Sequence, residues 1–293
     1  MRRWLHALAL IVSTALAFAL TPRFAQALTA NELGVIVNEA DPLSVRISEY
    51  YAHAHHIPAQ NIIRIRITNF GNSLPAEDFA ALKADIDKRT PAPVQAYALT
   101  WVQPYRVKCM SITSAFAFGF NRAYCGEGCA LTRLSSYYDS DSRRPHIELG
   151  LRPTMSIAAT KFDNARALID RGRAAGQHVS SMRPPPGTAH LVETDDVARN
   201  VRAASYADAK LLVAGRVLVE IVRTPGLKNR TDVLFYFIGA VEVPDLKSNR
   251  FVPGAVGDHL TSTGGDLLGQ SQMSSLRWLE AGATGSFGTA VEP

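Results

Sequence analysis

The run Gly257-Asp258-His259-Leu260-Thr261-Ser262-Thr263-Gly264-Gly265 gathers a carboxylate, an imidazole and three hydroxyls, then closes on two glycines. Groups of these types act as orienting acid, general base and nucleophile when a fold brings them within hydrogen-bond reach. His259 is the candidate base, Asp258 the candidate acid that orients it, and Ser262 or Thr261 the candidate nucleophile. Glu292, further along the chain, is a second candidate acid. A triad is defined by geometry, and neighbours in sequence rarely face one another, so Asp258 beside His259 is not by itself a dyad. A structural reading uses the same residues. In it Asp258 caps a turn, and His259 donates to a backbone carbonyl and ties the loop down.

These residues follow the apolar segment Val233-Leu234-Phe235-Tyr236-Phe237-Ile238-Gly239 by about twenty positions. Reactive side chains on a glycine-rich loop beyond a buried strand are how open α/β sheets usually build sites. Asp258, His259 and Asp266 are also hard or borderline metal ligands. No HExxH pair accompanies them, so a metal would need ligands from elsewhere. His53 and His56 share a face of the first helix, with His55 beside them, which reads as a surface cluster. Tyr137, Tyr138, Asp139 and Asp141 match no EF-hand spacing. The sequence specifies no cofactor.

Elements that would position this loop alternate along the chain. Leu33 to Val37 reads as a buried strand. Asp41-Pro42 opens a helix, with Asp as N-cap and Pro in the first turn. Asn61 to Ile67 alternates Ile and Arg, a strand with one wet face. Glu77 to Lys88 is a helix and Ala96 to Trp101 a strand. After an interruption come a strand at Thr154 to Ala158, a helix at Asp163 to Arg173 and a crossing loop with Pro184-Pro185-Pro186. A strand at His190 to Val192 follows, then a helix at Ala207 to Val222, the strand Val233 to Ile238, a helix at Ser271 to Ala281 and a last strand at Gly285 to Val291. Strands alternating with helices imply a three-layer α/β sandwich on a mostly parallel sheet.

The chain divides into a leader (residues 1–27), a βαβ half (28–103), a Cys-containing insertion loop (104–150) and a second α/β half (151–293) that looks truncated after its last strand. In the leader, Arg2 and Arg3 precede an apolar run from Leu5 to Leu20, and Ala25-Gln26-Ala27 is a small-x-small cleavage signal. The apolar run is short for a spanning helix, and no later stretch is long enough. An exported protein without a stable membrane span follows. Loss of Arg2, Arg3 and Arg23 takes the formal charge from +5 to +2. Arg64, Arg66, Arg143, Arg144 and Arg152 are scattered, so no nucleic-acid footprint remains. Cys109, Cys125 and Cys129 are an odd set for an oxidising compartment. Cys125-Gly126-Glu127-Gly128-Cys129 would close a small disulfide loop, leaving Cys109 over.

Several segments recur in order in a known group. They are Val35-Ile36-Val37-Asn38-Glu39 with Asp41-Pro42-Leu43-Ser44, Ile57-Pro58-Ala59-Gln60-Asn61-Ile62, and Ala165-Arg166-Ala167-Leu168-Ile169-Asp170-Arg171-Gly172. The most specific are Gly257-Asp258-His259-Leu260-Thr261-Ser262 and Trp278-Leu279-Glu280-Ala281-Gly282-Ala283-Thr284-Gly285-Ser286-Phe287-Gly288-Thr289. Together they resemble an uncharacterised family of exported bacterial proteins from genomes carrying the exosortase (PEP-CTERM) sorting system. The resemblance covers nearly all of residues 31–293. It implies export and a link to sorting or envelope biogenesis, but no activity. Members continue past the Glu-Pro, often with a Cys. More distantly, the order of elements is similar to gingipain-type cysteine peptidases of the caspase-like superfamily. Those enzymes place a His-Gly after one strand and a Cys after the next. Here the two positions hold Phe237-Ile238-Gly239-Ala240, without His, and Asp258-His259-Leu260-Thr261-Ser262, without Cys. The resemblance therefore implies a relative that binds a peptide or polysaccharide without cutting it. The alternative is an exported hydrolase that uses the 258–262 loop.

Overall fold

The computed structural model describes residues 28–126, 128, 130–180, 187–269 and 271–292. The leader, the Pro184-Pro185-Pro186 crossing and Cys129 lie outside these residues.

The first half is a βα alternation. Strand β1 (Leu33–Asn38) leads into α1 (Pro42–His55), whose first turn is closed by Asp41 accepting from the Leu43 N–H at 2.9 Å. Then come β2 (Ile62–Ile65), the short β3 (Ser73–Leu74), α2 (Ala76–Arg89) and β4 (Ala96–Leu99). Period-two side-chain alternation splits β1 between two layers. Ile36 packs with Ile63, Ile65 and Phe79 under α2, while Val35 and Val37 pack with Ile57 and Val45 on the α1 side. With β7 (Thr154–Ser156) these strands form a parallel sheet of order β2-β1-β4-β7.

Residues 104–150 hold more regular structure than their composition predicts. Strands β5 (Arg106–Val107) and β6 (Met110–Ser111) form a hairpin that leads into α3 (Ile112–Phe118). Val107, Met110, Ile112, Ala115 and Phe116 are core residues beside Phe79 and Trp101. A short helix, α4 (Pro145–Leu149), ends the segment. The hairpin corrects the disulfide assignment. Cys109 sits just past the hairpin's positive-φ residue Lys108 and is bonded to Cys125, sixteen residues on, with Cα atoms 5.7 Å apart. Cys125 is therefore not joined to Cys129. Its side chain packs against the first core instead of bending back across the two glycines.

The second half is a parallel sheet of order β11-β10-β8-β9, preceded by α5 (Phe162–Ser180). Its strands are β8 (Thr188–Glu193), β9 (Leu218–Arg223), β10 (Val233–Ile238) and β11 (Phe251–His259). Helix α6 (Tyr206–Leu212) covers one face, with Tyr206 among Ala189, Leu191 and Val219. Helix α7 (Leu276–Ala281) covers the other, with Trp278 among Tyr236, Ile238 and Phe251. Helices on both faces of mostly parallel sheets make this a three-layer α/β fold.

Three expectations fail here. The predicted helix from Ala207 to Val222 ends early, and its second part is β9. Val217, Val219 and Ile221 alternate inward, and Gly215 turns the chain between the two elements with φ +77°. Asp258 and His259 do not lie on a loop but are the last residues of β11. Pro253 and Gly254 disguise that strand, and its register with β10 shifts between Val233 and Phe235. The expected strand from Gly285 to Val291 is reduced to one parallel bridge, Gly285 to Val256.

Candidate functional site

The C-terminal ends of β10 and β11 carry the residues singled out in the sequence, and β11's pleat separates them. Asp258 is in register with Phe237 and faces the α6 layer. His259 is in register with Ile238 and faces α7. Asp258 is buried and paired to Arg202, which also reaches the Ile238 carbonyl at 3.5 Å. Gly257 lies against the indole of Trp278. A Cβ at Gly257 would overlap the ring.

Both imidazole nitrogens of His259 are occupied. Nδ1 accepts from the Trp278 indole N–H at 3.0 Å, which places the ring proton on Nε2. That proton is donated to the Met273 carbonyl at 2.6 Å. His259 is 2 % exposed, and burial pushes its pKa below the usual imidazole range. The Met273 carbonyl and Asp258 pull the other way. The ring is thus a neutral clamp between the end of β11, α7 and the 260–275 loop.

The rest of the loop is tied down in the same way. Gln272 Oε1 accepts from the Thr261 hydroxyl, the Thr263 N–H at 2.9 Å and the Thr263 hydroxyl at 3.2 Å. Ser262 is half-buried in the turn between them. Gly264 and Gly265 let the segment around Gly288 and Thr289 cross at backbone contact. Gly265 N–H donates to the Thr289 carbonyl at 2.8 Å. Beyond that crossing Glu292 makes no hydrogen bond to His259 among the described residues and lines a cavity of about 450 Å³ with Ser111, Ser114 and Arg133. A second cavity, of about 390 Å³, shares Ser111, Ser114, Gly288 and Ala290 with the first. Thr154, Met155 and Ser156 of β7 line it together with Ser286, Phe287 and Gly288 and the start of α3. Neither cavity is lined by Asp258, His259 or Ser262.

Sequence reasoning missed these cleft residues. The signal was Ser111-Ile112-Thr113-Ser114, a hydroxyl-rich helix start in which Ser111 caps α3 by accepting from the Ser114 N–H at 3.1 Å. Among the described residues, no group of three or more His, Cys, Asp and Glu side chains could hold a metal ion. His53 and His56 are the αL-capped end of α1. No helix is long and apolar enough to cross a membrane among the described residues.

The clamp has a pH signature. His259 is held neutral in the fold, but its unfolded pKa is about 6.5. Below that value the unfolded chain binds more protons, so stability is full above pH 6.5 and falls as the pH is lowered. His55, His146 and His190 are also lowered, chiefly by burial, and add to this trend. Urea unfolding of His259→Gln between pH 7.5 and 5 should show a shallower acid slope than the parent, by up to roughly one proton. An unchanged slope would mean that His259 does not titrate with unfolding.

Comparison of the chain with protein-family models, with curated proteins and with solved structures finds no match in any of the three.

Proposed function

We propose that this protein is an exported, non-catalytic binding protein that holds an extended polymer, a peptide or a polysaccharide, in the cleft between its two parallel sheets. The commitment of both His259 nitrogens carries this reading. A general base needs a lone pair free for the substrate's proton. Here Nδ1 is capped by an indole and Nε2 by a carbonyl, with Asp258 on the opposite face of the sheet. The cavities beside the crossing segment supply a surface rich in hydroxyls and aromatic rings, which the start of α3 and the edge strand β7 help to line. The ordered resemblance to exported proteins of exosortase-bearing genomes supports a role in sorting or envelope biogenesis.

The test is mass spectrometry of a peptide library incubated with the mature protein and with His259→Ala, with and without divalent metals. No cleavage by either protein is expected, and the same library should be retained on the immobilised protein. Cleavage that disappears in His259→Ala would overturn the reading in favour of a hydrolase built on the 258–262 loop.

A further inference from the structure

We infer that the ligand is a peptide, and that it binds as an added β-strand along the free edge of β7. This inference rests on the binding reading above and narrows its ligand to one class. Three observations carry it. First, among the described residues β7 pairs only with β4. The Tyr97 N–H bonds to the Pro153 carbonyl at 2.9 Å, and the Ile157 N–H to the Leu99 carbonyl at 2.8 Å. Odd-numbered residues thus spend their backbone groups on β4. By strand alternation, the N–H and C=O of Thr154 and Ser156 point to the open side. Second, the cavity of about 390 Å³ is lined by consecutive residues, Thr154, Met155 and Ser156. A cavity on a sheet face would meet alternate residues. Contact with three in a row means that it runs along the edge.

Third, a second stretch of the lining, Ser286 to Gly288, is also unspent backbone. Gly285 uses both its groups on β11, accepting from the Gly257 N–H and donating to the Ala255 carbonyl, each at 3.1 Å. Beyond it, the backbone groups of Ser286, Phe287 and Gly288 make no hydrogen bond among the described residues. The Ser286 hydroxyl is buried and has no partner there either. Main-chain donors and acceptors left unpaired on both stretches of the lining suit a ligand that alternates donor and acceptor at the strand repeat of about 3.3 Å. A peptide backbone supplies that repeat, whereas sugar hydroxyls do not. Thr154, Ser156, Ser286 and Gly288 are small enough to let a second backbone approach, and main-chain bonds then provide affinity while side-chain pockets provide selectivity.

The experiment uses the whole mature protein, immobilised. It is probed with a random ten-residue peptide library and, separately, with β-linked glucan and chitin oligosaccharides. Peptides retained from the library are resynthesised with single backbone N-methylations. Retention of peptides is expected, with alternate N-methylations weakening binding at least tenfold and the intervening ones having little effect. Ser156→Pro, which removes an edge N–H but no bond to β4, should weaken binding similarly. Ser156→Ala should not. Peptide binding that ignores N-methylation overturns the inference, even if Ser156→Pro fails to fold. Retention of oligosaccharides alone overturns it but leaves the polymer-binding reading standing. Retention of neither overturns both.

Discussion

Trp278→Ala should cost about 3–5 kcal/mol of unfolding free energy, the range for deleting a large buried aromatic side chain. Trp278 is fully buried and meets Tyr236 and Phe251 edge-on, with ring centroids 4.9 and 6.3 Å away. It is also the cap on His259 Nδ1. Trp278→Phe separates these roles, since it keeps a ring but removes the N–H. The buried acceptor left behind should cost about 1–3 kcal/mol. Urea midpoints read both variants. A Trp278→Phe protein as stable as the parent would show that the indole serves only as packing and that the imidazole is held elsewhere.

The second large effect concerns Asp258. Its carboxylate is buried and its cation is Arg202, which is one-third exposed. Removing one member of a buried pair costs about 3–5 kcal/mol because the other charge is left uncompensated. Arg202→Ala should approach the lower end of that range, since water can reach the vacated side. Asp258→Asn should cost less than Arg202→Ala, because the charge left behind is the one that already meets solvent. The double variant should cost less than the sum of the two. Additive effects in a double-mutant cycle would show that the two charges do not interact, and would release Asp258 for another role.

Much of the architecture was legible in the sequence because local and global signals agreed. Asp41-Pro42 marks the start of α1, and the Ile-Arg alternation near Arg64 marks a strand with one wet face. The failures share a cause. Glycine and proline in β11 look like a loop, yet Gly257 is there for the Trp278 ring, and Pro253 is tolerated because β11 is an edge strand of its sheet. Once β11 is a strand, Asp258 and His259 must face opposite ways, which a list of reactive side chains does not reveal. The cleft was harder still to read. Its walls come from β7, the start of α3 and the segment after α7, and much of its chemistry is backbone, which no side-chain pattern encodes. The disulfide went astray because the nearer pair of cysteines was preferred, while a hairpin turn brings a distant one to Cys125.

The two kinds of glycine contact differ in how a genetic lesion could be repaired. A methyl group at Gly257 meets a side chain, Trp278, so a smaller residue there could make room for it. Where Gly265 and Gly288 cross, a methyl group on either would meet main chain alone. No exchange of side chain elsewhere can move a peptide bond aside. A search for second-site revertants should therefore rescue Gly257→Ala through residue 278. For Gly288→Ala it should return only reversion to glycine, or changes in loop length.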